Sequence, residues 1–221
     1  MDQDAREQAF MSALVTEHFV LQSSAAATIS ESASRCSLYL LSLSSSLVAL
    51  GFANQSAGVF GPLAAVVLPT LFVLGCFTVV RLVDTSIENV VCLRGIARIR
   101  RHYAGLVPSA PEFFGQPGDD SAAARAMTGT TQGNRTVLLF TMASMIGTVN
   151  SVLGGAAVAL LLEAGLGAPR PAAVAVGVAA AVVAFGLAYT YQRRRFAAAL
   201  GGSATAVPTA AAAITSPTPG P

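Results

Sequence analysis

Apolar and polar positions alternate in long blocks along this chain. Residues 36–53 (CSLYLLSLSSSLVALGFA) and 59–80 (VFGPLAAVVLPTLFVLGCFTVV) are two apolar runs joined by the uncharged polar turn NQSAG. Arg35 stands before the pair and Arg81 after it, with no charge between them. A helix needs about 20 apolar residues to cross the hydrocarbon core of a bilayer. The pattern therefore predicts a membrane hairpin over residues 36–83, and residues 136–191 repeat the plan.

The first run is near the lower length limit, and Ser37, Ser42, Ser44, Ser45 and Ser46 make it polar for a lipid-facing helix. Small hydroxylated residues let helices approach closely, which predicts a place inside a bundle. The second run carries Pro62 in its first turn, where the missing N–H is harmless, and Pro69 in its interior, where a kink is expected. In the third span, Gly147, Ser151 and Gly155 recur every four residues and predict a close helix contact. The fourth starts at Pro171, is mainly Ala, Val and Gly, and ends at Tyr189 and Tyr191 before Arg193, Arg194 and Arg195.

Outside the spans the pattern changes. Residues 1–35 predict an amphipathic helix, with Phe10, Leu14 and Leu21 near one stripe and Asp2, Asp4 and Glu7 in the first turns, where carboxylates favour the positive end of the helix dipole. Residues 84–135 predict a basic helix followed by a loop rich in Gly, Pro, Ser and Thr. In that helix Ile87, Val90, Val91, Leu93, Ile96 and Ile99 supply the apolar face, while Arg94, Arg98 and Arg101 line up beside it. Thr85 with Glu88 offers a capping box, so a break after the second span competes with a continuous helix. Residues 192–221 predict a basic stub and a low-complexity, disordered tail.

Composition sharpens this picture. With 53% hydrophobic and 11% charged residues, a water-soluble fold is not expected. All basic residues are Arg, and Ala is abundant, a habit of GC-rich bacterial genomes. In a four-span arrangement every Arg except Arg170 falls on one side. The positive-inside rule makes that side the cytoplasm, with both termini inside a bacterial inner (plasma) membrane. The first apolar run follows about 35 mixed residues with an acidic start, so a cleaved signal peptide is not expected. Cys36, Cys76 and Cys92 have no metal spacing and are expected to stay reduced.

Candidate chemistry is sparse. Asn150 is the carboxamide well inside a span. It fits either a polar path, shared with Ser42 and Ser46, or an interhelical hydrogen bond, and the second is the commoner use. Arg94, Arg98 and Arg101 fit contact with anionic lipid, at about 1 kcal/mol each, or plain topology determination. Asp84 and Glu88 stand one turn apart but supply too few ligands for a divalent cation. Glu163 and Arg170 fit a solvated pair across the short connection between spans three and four. His18 and His102 have no ligand spacing. HExxH, Walker A and GxSxG motifs are absent, so no enzyme is expected, nor any cofactor or nucleic-acid partner.

The stretch ESASRCSLYLLSLSSSLVALGF, with the four-span plan, resembles uncharacterised small integral membrane proteins of actinobacteria. That resemblance covers the spans alone and implies a membrane fold with no activity attached. A cytoplasmic helix running into a hairpin is also similar in idea to two-span effector modules of bacterial nucleotide-signalling defence systems, whose motifs do not occur here. The expectation is an all-α, four-span protein of two hairpins. It would act as an assembly, sensory or scaffold protein in the bilayer, as a homo-oligomer with a cytoplasmic partner. The alternative is a small oligomeric channel or transporter with a polar path along spans one and three.

Overall fold

The computed structural model describes residues 2–56, 58–106, 108–113 and 141–201. The predicted loop from residue 114 to 135, the first residues of the third span (136–140) and the tail beyond 201 lie outside the described residues. The described chain is helical: α1 (Gln3–Ala53), α2 (Phe60–Ala104), the single turn α3 (Ala110–Phe113), α4 (Met142–Leu166) and α5 (Arg170–Gly201). Four of these, α1, α2, α4 and α5, are long and apolar enough to cross a membrane.

The N-terminal helix and the first span are one uninterrupted helix of 51 residues. The Asp2 carboxylate caps it by accepting from the Gln3 N–H at 2.8 Å. No Gly or Pro interrupts it before Gly51, and Glu31 and Arg35 pair at 2.8 Å one turn apart. After Asn54 the chain turns through Gly58, whose φ of 82° suits glycine. Then α2 runs for 45 residues and also continues past the span without a break. The capping box does not form. The Thr85 hydroxyl instead donates back to the carbonyls of Arg81 and Leu82 (3.1 and 3.2 Å) inside a continuous helix. At 1.5 Å per residue the two helices are about 77 and 68 Å long, more than twice the hydrocarbon core. Their surplus forms a two-helix stalk at the arginine-rich end.

A seam with steps of three and four residues holds α1 to α2. On α2 it runs through the buried Leu71, Gly75, Thr78, Leu82, Thr85 and Asn89 and continues through Ile96 and Ile99. On α1 it includes Ala25, Thr28, Cys36, Tyr39, Leu50 and Ala53, with Ser32 half-buried among them. Such spacing gives antiparallel knobs-into-holes packing. The same register thus continues from the membrane bundle into the stalk, with one step of four followed by another at Thr28–Ser32–Cys36.

Thr141 caps α4, its hydroxyl accepting from the Ser144 N–H at 3.2 Å, and Gly167 ends it with φ 63°. α4 packs on α5 as a second hairpin and joins the first through α2. A core at the arginine-rich end unites Tyr39, Leu82, Val83, Val90, Ile146 and Phe196. Another near the tight turn unites Leu50, Leu68, Leu71 and Leu153. Outward-facing Leu41, Phe52, Val66, Phe77, Val182 and Leu187 give all but α4 an exposed apolar surface, and Val152 and Leu161 do the same for α4. Lipid tails suit such a surface where water does not.

Candidate functional site

Two polar features interrupt the apolar bundle. The inner one is centred on Asn150, which is buried. Its Oδ1 accepts a hydrogen bond from the Tyr39 hydroxyl at 3.1 Å, and its Nδ2 donates to the Cys76 sulfur at 3.4 Å. The amide thus ties α4 to both α1 and α2. Gly75 makes room for it: a Cβ there would run into the Asn150 Oδ1. One turn along α4, Gly154 returns the arrangement, since a Cβ on it would lie 2.6 Å from the Phe72 ring. Each helix offers a glycine to the other's large side chain.

The serines expected beside Asn150 do not join this node. Ser42 donates back to the Leu38 carbonyl at 2.8 Å, and both Ser42 and Ser46 are half-buried on α1. Asn150 pairs with a tyrosine and a cysteine instead, neither of which stands out in the apolar pattern. A tyrosine inside the span, needing a partner for its hydroxyl, was the available signal.

Of Gly147, Ser151 and Gly155, it is Gly155 that makes a close helix contact, and it is within the chain. A Cβ on Gly155 would lie 2.5 Å from the Gly177 carbonyl oxygen, and one on Gly177 2.6 Å from the Gly155 carbonyl oxygen. Backbone meets backbone between α4 and α5. Gly147 faces Ala188 and Val79 at ordinary contact distance, and the Ser151 hydroxyl bonds back to the Gly147 carbonyl at 2.6 Å. This face is therefore occupied by α5 and does not offer itself to a second copy.

The outer feature is a charged rim where the spans end. Glu31 on α1 accepts from Arg35 (2.8 Å) and from Arg81 on α2 (2.9 Å). The Arg81 guanidinium, then that of Arg35, hold the Glu31 carboxyl below its ordinary range. Ser32 and Thr85 hydroxyls meet at 2.9 Å beside this pair. Across the rim Asp84 receives Arg195 of α5, whose pKa is raised by that bond. Glu88 approaches Arg81 at 3.9 Å. Asp84 and Glu88 thus face guanidiniums, which supply the positive charge a cation would have brought. Just inside the rim, buried Gln192 donates to the Thr141 hydroxyl (2.8 Å) and accepts from Ser144 (3.2 Å), tying α5 to the start of α4.

Of the stalk arginines, Arg94 is half-buried and Arg98 and Arg101 are exposed. His102 packs edge-on against Phe10 with ring centroids 5.6 Å apart, joining the far ends of α1 and α2. Gly95 receives Leu21. Cys92 sits in the seam, and burial pushes its thiol pKa up. Glu163 and Arg170 approach to 3.8 Å with Arg170 largely in the open. Among the described residues no group of three or more His, Cys, Asp or Glu side chains is arranged to hold a metal ion. Compared with known proteins, the chain matches no family model, no curated protein and no solved structure.

Proposed function

We propose that this chain is a non-enzymatic scaffold or sensor of a bacterial inner membrane, with both termini and the α1–α2 stalk in the cytoplasm. The observation that carries the reading is the seam that runs unbroken from the bundle into the stalk, on one register of α2 from Leu71 to Ile99. A reaction needs convergent reactive groups, whereas a continuous helical pair suits holding or moving a partner at a set distance from the bilayer. The orientation is supported by the arginines, all but Arg170 of which belong to one side.

The stalk also exposes large apolar side chains away from the bundle. Phe19 is 65% exposed, with Val20, Ile29 and Val91 also outward. Exposed Phe and Ile on a helix meant for water mark a surface that a protein partner covers. Homo-oligomerisation remains part of the proposal through the outer face of α1, where Ser37, Ser44 and Gly51 are exposed at intervals of seven residues. A conducting path through Asn150 is the weaker reading, because it would have to break the bonds to Tyr39 and Cys76.

A photo-crosslinking side chain placed at Phe19 in living cells tests the partner surface, with the lipid-facing Val48 as comparison. Protein-sized adducts at Phe19 and their absence at Val48 are expected. Adducts at neither position would remove the scaffold reading. Light scattering of the purified protein in its micelle tests assembly, and a monomer would remove the homo-oligomer.

A further inference from the structure

Between α2 and α5, at the level of the charged rim, lies an open cleft of ≈ 450 Å³. Its charged lining is Arg81, Asp84, Glu88 and Arg195, and its apolar lining is Ile87, Ala198 and Ala199. Two guanidiniums and two carboxylates cancel, so the cleft is polar and locally neutral. These charges are not equally engaged. Arg81 is held by Glu31 at 2.9 Å, whereas among the described residues Glu88 makes just the 3.9 Å approach to Arg81 and is 52% exposed. Arg195 is 51% exposed and presents a planar fork of donors beyond the one that meets Asp84.

The surroundings point to lipid. Arg81 follows the second span, and Arg195 stands one turn past Gln192 at the end of the fourth. Above the cleft α2 and α5 touch each other little, although both pack on α4. The groove left between them narrows to a small crevice of ≈ 10 Å³, apolar at Val79, Gly147, Phe185 and Ala188 and polar at Ser144 and Gln192, so an acyl chain would lie along its outer edge. A ligand that fits has a phosphate for the solvent-exposed side of Arg195, whose other neighbours are Asp84 and Tyr191, a cation for Glu88 and an apolar tail for the groove.

We propose that this cleft binds a zwitterionic glycerophospholipid with a primary-amine headgroup, of the phosphatidylethanolamine class. Its phosphate lies on Arg195, its ammonium on Glu88, and one acyl chain follows the groove between α2 and α5. A headgroup with net negative charge meets Glu88 and Asp84 unfavourably. A choline headgroup brings a cation with no N–H to donate to Glu88. The inference rests on the membrane placement proposed above.

Native mass spectrometry of the delipidated, detergent-solubilised full chain tests it, with phosphatidylethanolamine, phosphatidylcholine, phosphatidylglycerol and free phosphoethanolamine offered separately. One charge-assisted hydrogen bond corresponds to about tenfold in affinity, so phosphatidylethanolamine is expected to be retained about tenfold better than the other two lipids. Glu88→Gln, a half-exposed position whose change spares the fold, is expected to abolish the preference over phosphatidylcholine. Arg195→Ala is expected to weaken retention of every class. Equal retention of the three lipids, or an unchanged preference in Glu88→Gln, would overturn the assignment. Binding of free phosphoethanolamine as tight as that of the lipid would overturn the acyl groove and leave a site for a soluble zwitterion. A chain that stays in solution without detergent would instead remove the membrane placement itself.

Discussion

The two hairpins solve the same problem by different means. α4 and α5 meet backbone to backbone at Gly155 and Gly177, with hardly a side chain between them. α1 and α2 are held apart by interlocking side chains, from Leu50 and Leu68 at one end to Leu21, Ile96 and Ile99 at the other. The difference follows the solvent. In lipid, apolar side chains gain nothing by leaving one apolar phase for another, so close contact of small residues dominates. In water, burial of side chains is itself favourable, at about 25 cal/mol per Å². In the proposed placement the first hairpin has to hold in both, and its seam would work in either.

That contrast can be broken at either hairpin. The largest effect is expected from Gly155→Leu, because the new side chain would run into the Gly177 carbonyl, which cannot step aside. Overpacking of this kind costs about 3 kcal/mol, read as a lower midpoint when sodium dodecyl sulfate is titrated into the micelle. Gly186→Leu, at a position of the same hairpin with nothing within 4 Å, is the matched control and is expected to leave the midpoint unchanged. Next comes Ile96→Ala in the stalk seam, where only 4% of the residue is exposed. It is expected to cost about 2 kcal/mol and to speed proteolysis of the stalk without disturbing the Gly155 contact.

A smaller effect sharpens how the hairpins are joined. Gly75→Ala displaces the Asn150 amide, and Asn150→Ala removes it, so the pair together should be less damaging than the sum. A coupling of about 1 kcal/mol in a double-mutant cycle is expected, and additivity would deny the contact. The smallest effect is expected at the rim. Glu31 has a folded-state pKa below 4.5, so its link to Arg81 and Arg35 is present above that value and is lost as pH falls through the lowered one. Wild type is therefore expected to be the more stable at neutral pH, and to converge with Glu31→Gln on strong acidification. An equal gap at every pH would mean that the charge of Glu31 plays no part.

Much of this molecule was legible in the sequence, and the rest was hidden for physical reasons. The spans could be read because hydrocarbon thickness fixes their length, and Arg35, Arg81 and Arg193 mark their ends. The seam in the stalk was harder, because Thr28, Ser32, Thr85 and Asn89 occupy it and disguise its apolar period. Spacing pointed to a close contact along Gly147, Ser151 and Gly155 but said nothing of the partner, which at Gly155 is Gly177 of the same chain. Asn150 was visible as a polar residue in an apolar run. Its partner Tyr39 lies 111 residues away, and a pairing at that distance leaves no local trace. Arg195 meeting Asp84 is hidden in the same way.

The absence of any break in α1 has a mechanical consequence. Residues 3–34 make a rod about 48 Å long, so a tilt of five degrees where it enters the bundle sweeps its tip by roughly 4 Å. The reverse holds too. A modest sideways push on the stalk near Phe10 and His102 reaches the bundle as leverage on Tyr39, and through its hydroxyl on the amide that joins the hairpins. Such a rod carries displacement in both directions between the bundle and the far tip of the helix.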